Sequence, residues 1–358
     1  MMSNNYLIDT KKLQFEISSM CNALCLGCVR TETSNYNDKK SLIPPNVYLK
    51  FETFQKIITD KNFESVRMLE FCGTIDDPLM HPDFLDFIKF AADFKKFKFI
   101  IHTNGSLRNK SYWKSLAEIL KDTDHRILFS IDGLEDTNHI YRQNTSWKKI
   151  IENAEIFLEN GGYAAWQYLI FPWNKHQIDQ AQELSIKLGF KEFMSRHDRS
   201  GISELPLKFI KEKKDINQTH SRITGLETVN TALSELVKNP IECNNQNKKM
   251  FFISFDSKLW PCCFLHNGLL STDNGKREIL EKRLFETYGT EWNNCEIHEI
   301  GDILSHDFYK NDLVESWKSE IHGVNTTDRI FRCTEVCNKE TLEVLPIGGA
   351  KLLYQEKI

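Results

Sequence analysis

The sequence predicts an α/β fold: a mostly parallel sheet with crossover helices, followed by a smaller extension. Two observations support this fold class. Strand-like and helix-like segments alternate about six times within roughly the first 200 residues, which favours a parallel sheet. Beyond that point the alternation is lost and cysteines become frequent, which indicates a separate C-terminal region.

Each predicted strand is a short run rich in apolar and β-branched residues, and each of the first five is followed by a segment of helical period. The predicted strands are Leu13–Met20, Val66–Gly73, Phe97–Gly105, Arg126–Gly133, Ala164–Trp173 and Lys191–His197. The predicted helices are Asn46–Ile58, Pro82–Ala92, Ser111–Lys121, Trp147–Glu159 and His176–Leu188. Six such units are about two short of a full eightfold barrel, and sites on these sheets form at the C-terminal strand ends.

Three regions follow from this organisation. They are a barrel over 1–205, a linker over 206–240 and a second domain over 241–358. The linker contains a short predicted helix at Thr228–Lys238, and the second domain contains a predicted helix at Leu313–Ile321. A hairpin is predicted at Met250–Cys263, with its turn at Asp256-Ser257.

The composition argues against several classes of partner. Lys and Arg number 46 against 50 Asp and Glu, so charge gives no reason to expect nucleic acid or a membrane surface. No apolar run reaches the roughly 18 residues of a membrane span, and the N-terminus lacks a signal-peptide pattern. Ten cysteines without a secretion signal predict a cytoplasmic, reducing setting and metal binding instead of disulfides.

Three of these cysteines, Cys21, Cys25 and Cys28, lie on the loop that follows the first predicted strand. A structural zinc takes four ligands, and this loop offers three. An iron–sulfur cubane held by three thiolates keeps one iron open for a substrate or cofactor. The spacing therefore favours a [4Fe-4S] cluster, with a zinc or other redox loop as the alternative.

The Cys-x3-Cys-x2-Cys loop after a first strand resembles the radical S-adenosylmethionine (SAM) superfamily. The resemblance implies a partial, open (β/α)6 barrel of the TIM type. It also implies that the open iron binds SAM, and that one electron cleaves SAM to a 5′-deoxyadenosyl radical that takes hydrogen from a substrate. A low-potential donor such as flavodoxin or ferredoxin would supply that electron.

Segments at three further strand ends resemble SAM-binding segments of this family. Cys72-Gly-Thr-Ile-Asp-Asp-Pro78 is similar to the family's Gly-Gly-Glu-Pro, and either aspartate can stand for the glutamate. Thr103-Asn104-Gly105 is similar to a family segment near the SAM ribose. Ser130-Ile-Asp-Gly133, together with a downstream arginine, is similar to a third family segment. The resemblance implies these cofactor-binding candidates: Gly73, Asp76, Asp77, Pro78, Thr103, Asn104, Ser130, Asp132 and Arg142.

Four later cysteines, Cys243, Cys262, Cys333 and Cys337, can complete a four-thiolate cage for a second cluster. Their layout resembles the twitch extension of radical SAM enzymes, which carries one auxiliary cluster. The dense Cys-x2-Cys-x5-Cys-x3-Cys array of the longer SPASM extension is absent. Cys263 and Cys295 remain alternative ligands, and a structural zinc is the alternative occupant.

The predicted reaction is oxidative, with the auxiliary cluster accepting an electron from a small-molecule substrate. The candidate catalytic residues are His197, Asp198 and Arg199, at the end of the sixth predicted strand. Two alternatives stay open. One is a peptide-modifying radical SAM enzyme, and the other is a non-enzymatic scaffold stapled by zinc.

Overall fold

The structure is a computed structural model that describes residues 9–33, 43–72, 74–198, 241–270, 277, 280–318, 330–337 and 351–355. They form two compact units. The larger holds the described residues within 15–51, 67–216 and 348–358, and the smaller holds those within 1–14, 52–66 and 217–347. The predicted linker and its helix at Thr228–Lys238 lie outside the described residues, and the predicted domain boundaries stay a prediction.

The larger unit contains a parallel sheet, as predicted. Five strands pair in parallel in chain order: β2 (Met68–Phe71), β3 (Lys98–Thr103), β4 (Asp124–Ser130), β5 (Ala164–Ile170) and β6 (Glu192–His197). Helices follow the strands along the chain, so each parallel connection is a crossover. This mostly parallel sheet with intervening helices confirms the predicted α/β class.

The first predicted strand is shorter than expected. β1 covers Lys12–Phe15, and the ladder ends with the Phe15 carbonyl accepting from the Cys72 amide at 3.1 Å. The backbone N–H groups of Ile17 and Ser18 instead bind a carboxylate in the loop after β2. Side-chain acceptors therefore replace the strand partner beyond Phe15, which sequence periodicity does not reveal.

Most helix boundaries lie within two residues of the predicted ones. In chain order the helices are α1 (Val29–Thr33), α2 (Phe51–Thr59), α3 (Phe84–Phe94), α4 (Lys110–Leu120), α5 (Asn138–Tyr141), α6 (Trp147–Glu159) and α7 (Ile178–Leu188). The main difference is the start of α2, predicted at Asn46. Asn46 has φ 57° and Tyr48 forms a β-bridge to Ser18, so the chain becomes helical only at Phe51.

The two faces of the parallel sheet differ in chemistry. One face carries large apolar side chains that pack against the helices, such as Phe129 stacked on Trp113 at 5.2 Å. Ile100, Leu128 and Met194 cluster on the opposite face. Because side chains alternate along a strand, the residue two positions after each member of this cluster lies on the same face of the sheet. We call this set the polar face, and its members are Glu70, His102, Ser130, Gln167 and Arg196.

A further strand, β9 (Lys351–Gln355), pairs antiparallel with β6. It was not predicted, because its segment is short and lies far along the chain from its partner. Its register includes a shift between Phe193 and Met194. The edge of β6 that faces away from β5 is thereby hydrogen-bonded.

The smaller unit contains the predicted hairpin, formed by β7 (Met250–Ile253) and β8 (Leu259–Trp260). Ser257 in its turn has φ 65°, which suits a tight connection. The described helices of this unit include α8 (Asn244–Asn247), α9 (Cys263–Leu269), α10 (Ile300–Ser305), α11 (Leu313–Lys318) and α12 (Phe331–Cys337). No helix in the described ranges is long and apolar enough to cross a lipid bilayer.

We expect buried His266 on α9 to make the stability of the smaller unit depend on pH. Its ring is 4% exposed and contacts the rings of Phe252 and Phe255, and burial lowers its pKa from 6.5 to about 4. The folded state therefore keeps His266 neutral while the unfolded state binds a proton, so stability is lost as pH falls from 6.5 to about 4. The loss amounts to ~3 kcal/mol, at about 1.4 kcal/mol per pKa unit.

Denaturant titrations at several pH values can measure this effect. A His266→Phe variant should show a shallower decrease in unfolding free energy between pH 6.5 and 4 than the unmodified chain. Equal slopes for the two proteins would contradict the assignment of the effect to His266.

Candidate active site

The cysteine loop places Cys21, Cys25 and Cys28 around one small apolar cluster, which includes Tyr141 and Phe171. Burial raises the pKa of Cys25 to about 11, and burial also raises the pKa of Cys21, with the charges of Asp77 and Cys25 adding to it. Cys25 belongs to this apolar cluster, and Cys21 and Cys28 pack against it, so the three thiols gather in one place. Three clustered thiols and no fourth on the loop are the donor set that an open-cornered iron–sulfur cluster takes.

Two buried carboxyl groups tie the end of β1 to the loop after β2. Asp76 Oδ2 accepts from the Ile17 and Ser18 amides, both at 3.1 Å, and Glu16 Oε1 accepts from the Ile75 amide at 2.5 Å. Burial raises the pKa of Asp76, and the neighbouring Glu16 and Asp77 raise it further. The Asp76 carboxyl is thus positioned by backbone groups immediately before the cysteine loop.

Asp77 is the centre of a second network. Its carboxylate accepts from the Leu79 amide at 3.1 Å, the Thr103 hydroxyl at 2.9 Å and both the amide and side chain of Asn104 at 2.8 and 2.7 Å. Burial raises its pKa, while these hydrogen bonds lower it. The network joins the ends of β2 and β3, which brings together two of the segments predicted to bind SAM.

Arg142 lies beside the thiols. Its Nε donates to Asp132 Oδ2 at 2.6 Å, and its Nη1 lies 3.5 Å from the Cys25 sulfur. Asp132 is fully buried and also accepts from the Leu169 amide at 2.6 Å; burial raises its pKa, and the Arg142 charge lowers it. A guanidinium held here stabilises a thiolate at Cys25 through its charge.

The other predicted site residues lie in varied environments. Pro78 is buried in the first turn after Asp77, and Ser130 is half-buried at the end of β4. His197 is exposed and Asp198 half-buried at the end of β6. Gly73 and Arg199 lie outside the described residues. The roles of all these residues stay predictions.

Sequence reasoning missed three residues that the structure places at this site. Asn22, inside the cysteine loop, donates to Ser106 Oγ at 2.9 Å and accepts from Asn104 Nδ2 at 2.8 Å. Arg196 is close enough to Asp132 to lower its pKa by charge. The alternation of β6 could have indicated Arg196, whereas no local signal distinguishes Asn22 or Ser106.

A second group of thiols gathers in the smaller unit. Cys243, Cys262, Cys333 and Cys337 line one cavity between α8, α9 and α12. The pKa of Cys337 is raised by a hydrogen bond with Cys243, by burial and by the charges of the other thiols, and burial raises that of Cys262. Two sequence-remote pairs of cysteines therefore line the same cavity, and their assignment to one cluster stays a prediction.

The two alternative ligands differ in position. Cys263 neighbours Cys262 but does not line the cavity, and Cys295 is fully buried elsewhere, where its backbone carbonyl accepts from Lys56 Nζ at 3.1 Å. Within the described ranges, no group of three or more His, Cys, Asp or Glu side chains is arranged to hold a single metal ion.

Comparison with known proteins agrees with this geometry. Residues 15–184 match the family described as the radical SAM superfamily. Over 131 residues the chain is 31% identical to the tungsten-containing aldehyde ferredoxin oxidoreductase cofactor-modifying protein of Pyrococcus furiosus; the match spans 36% of this chain and 33% of the relative. It is 24% identical to the GTP 3′,8-cyclase of Helicobacter pylori, over 78% of this chain and 87% of that protein.

Solved structures share the fold. Streptococcus suis SuiB bound to S-adenosylmethionine matches with a TM-score of 0.54 at 15% identity, covering 92% of this chain and 71% of SuiB. The enzyme anSMEcpe with bound AdoMet matches with a TM-score of 0.53 at 14% identity, covering 93% and 92%. The partial TIM-like barrel is therefore confirmed, and over residues 15–184 the chain resembles enzymes of the radical SAM superfamily.

Proposed function

We propose that this enzyme binds a [4Fe-4S] cluster through Cys21, Cys25 and Cys28, cleaves SAM reductively there and removes hydrogen from a small-molecule substrate. The supporting observation is the group of three clustered thiols beside networks that join the ends of β1, β2 and β3. When bound, the cluster and SAM supply a 5′-deoxyadenosyl radical. Flavodoxin or ferredoxin is the proposed electron donor, and dithionite can replace it in vitro.

The residues of this chain have separable tasks in the proposal. Arg142 keeps positive charge next to Cys25, and Asp132 holds the guanidinium in place. Asp77 fixes Thr103 and Asn104 in one arrangement through its hydrogen bonds. Asp76, Pro78, Gly73 and Ser130 remain the other proposed SAM contacts.

The polar face favours a small polar substrate. His102 Nε2 lies 3.1 Å from Glu70 Oε1, and both side chains are only partly buried. Ser130, Gln167 and Arg196 are also partly exposed on this face. A row of hydrogen-bonding groups suits hydroxyl, amine or carboxylate groups better than an apolar chain. His197, Asp198 and Arg199 stay candidate catalytic residues.

We also propose that Cys243, Cys262, Cys333 and Cys337 bind an auxiliary [4Fe-4S] cluster. The cluster would make the overall reaction oxidative. When bound, it would supply an acceptor for the one electron that remains after a substrate loses a hydrogen atom from a C–H bond and a proton from the neighbouring O–H or N–H group. The four thiols lining one cavity support this assignment.

A Cys333→Ala/Cys337→Ala variant tests the auxiliary site, because it leaves two of the four thiolates, fewer than the three that hold an open-cornered cubane. Anaerobically reconstituted protein should lose about four of about eight iron atoms per chain, with matching sulfide, because a cubane holds four irons. Formation of 5′-deoxyadenosine from SAM and dithionite should persist. Zinc without sulfide at these thiols, or unchanged iron in the variant, would contradict the auxiliary cluster.

Peptide modification is the second candidate, and one comparison favours it. SuiB bound to its precursor peptide SuiA matches this chain with a TM-score of 0.51 at 17% identity, covering 78% of this chain and 65% of SuiB. The two candidates can be distinguished with deuterated substrates. Mass spectrometry of 5′-deoxyadenosine shows which substrate has transferred deuterium to it. A deuterated small metabolite as the source supports the first candidate, and a deuterated peptide the second.

A further inference from the structure

Asn22, Asn104 and Ser106 form a closed ring of hydrogen bonds between the cysteine loop and the loop after β3. Asn104 Nδ2 donates to Asn22 Oδ1 at 2.8 Å, Asn22 Nδ2 donates to Ser106 Oγ at 2.9 Å, and Ser106 Oγ donates to Asn104 Oδ1 at 2.6 Å. Each side chain donates once and accepts once within the ring. Such a ring fixes the orientation of all three side chains together.

The orientation of the ring is set from outside it. Asp77 Oδ2 can only accept when ionised, so the Asn104 side-chain nitrogen must face it, at 2.7 Å. That leaves the second hydrogen of this nitrogen for Asn22. The Ser106 amide also donates to Asn104 Oδ1 at 3.0 Å, so both ends of the Asn104 amide are already engaged.

The ring is one of several attachments of the cysteine loop. Asn22 directly follows Cys21, and its carbonyl also accepts from Asn144 Nδ2 at 2.7 Å. The backbone of the loop is held by the Leu24 and Leu26 amides, which donate to the carbonyls of Gln143 and Tyr141. Just before the loop, the Met20 carbonyl accepts from the Asp77 amide at 3.0 Å. The ring adds a side-chain connection from Asn22 to the loop after β3.

We propose that Asn22 is a positioning residue that holds the cysteine loop in register with the SAM-binding segments, acting through Asn104 and Ser106. In this proposal Asn104 holds the cysteine loop in position and does not itself contact the SAM ribose, because its side-chain amide already forms hydrogen bonds with Asp77, Asn22 and Ser106. The inference rests on the proposed SAM-binding site, but not on the substrate or on the auxiliary cluster.

Asn22→Ala should weaken SAM binding by about tenfold or more, the range seen when groups that orient metal ligands are removed. SAM affinity is measured by equilibrium dialysis on reconstituted full-length protein. The change that SAM causes in the electron paramagnetic resonance spectrum of the reduced cluster should become smaller, while iron content and the unfolding midpoint stay near those of the unmodified enzyme. Asn160→Ala is the matched control, since that side chain bonds only to the end of its own helix, at Ile156.

A double-mutant cycle distinguishes positioning from direct ribose contact. If Asn22 acts through Asn104, Asn22→Ala/Asn104→Ala should bind SAM about as weakly as the weaker single variant. Additive losses would overturn the proposal, and so would normal SAM affinity in Asn22→Ala. Iron loss from Asn22→Ala with normal SAM binding at the remaining clusters would also overturn it.

The tests of Asn22 do not depend on the proposed oxidation of a substrate. An unmodified enzyme that binds SAM and shows the spectral change, yet oxidises no substrate, would overturn the proposed oxidation and leave the ring intact as a positioning device. Ser106→Ala provides a graded variant, because it removes two bonds of the ring and keeps the bond between Asn104 and Asn22. Its loss of SAM affinity should be smaller than that of Asn22→Ala.

Discussion

Replacing Cys25 with alanine is expected to abolish formation of 5′-deoxyadenosine from SAM and dithionite. Cys25 is the most buried of the three loop thiols and the one that Arg142 contacts. Two remaining thiolates do not hold a cubane that keeps an open iron, so about four of about eight irons should be lost. The loss is measured as iron and sulfide per chain, together with chromatographic detection of 5′-deoxyadenosine.

Cys295→Ala is the matched control for this experiment, because Cys295 is also buried but does not line the cavity of the four thiols in its own unit. It should retain its iron and continue to form 5′-deoxyadenosine. If Cys25→Ala keeps a full complement of iron and still cleaves SAM, Cys25 is not a cluster ligand. A reconstituted, unmodified enzyme that never forms 5′-deoxyadenosine would contradict the proposed function itself.

Replacing Arg142 with methionine is expected to reduce the unfolding free energy by about 3–5 kcal/mol, the usual cost of removing one partner of a buried ion pair. Asp132 is fully buried and would be left without its ion-pair partner. SAM cleavage should also fall, since the positive charge beside Cys25 is lost. Anaerobic denaturant titration measures the first effect, and 5′-deoxyadenosine formation the second.

An exposed pair in the same sheet serves as the control. Lys98 and Asp124 form an ion pair at 3.1 Å, with side chains 40% and 65% exposed, so Lys98→Met should cost at most about 1 kcal/mol. Asp132→Asn/Arg142→Met should be less destabilised than Arg142→Met alone, because the unpaired carboxyl group is removed. If Lys98→Met and Arg142→Met lose the same unfolding free energy, burial of the Arg142–Asp132 pair does not increase the cost of breaking it.

The order of strands and helices was readable from the sequence because each element carries its own periodicity. Trp147–Glu159 was predicted to the residue from its amphipathic period and the glycines after it, and in the structure Ser146 also caps its N-terminus. The C-terminal end of β1 and the start of α2 were placed less well. In both cases long-range partners, the loop after β2 and the bridge between Ser18 and Tyr48, override local preference.

The site was readable where its chemistry is concentrated in a short motif. The spacing of Cys21, Cys25 and Cys28 indicates a cluster without reference to structure. Asn22 gives no comparable signal, because its partners Asn104 and Ser106 lie more than 80 residues away. Arg196 was overlooked in favour of its neighbour His197, and a shift of one residue along a strand changes the face on which a side chain lies.

The antiparallel pairing of β9 with β6 has a consequence for how the sheet can grow. A barrel closes by adding strands that run in the same direction as those before them. Here the edge of β6 that faces away from β5 is already paired with residues 351–355, which run in the opposite direction. No seventh parallel strand can dock there, from this chain or from another copy, while β9 stays in place.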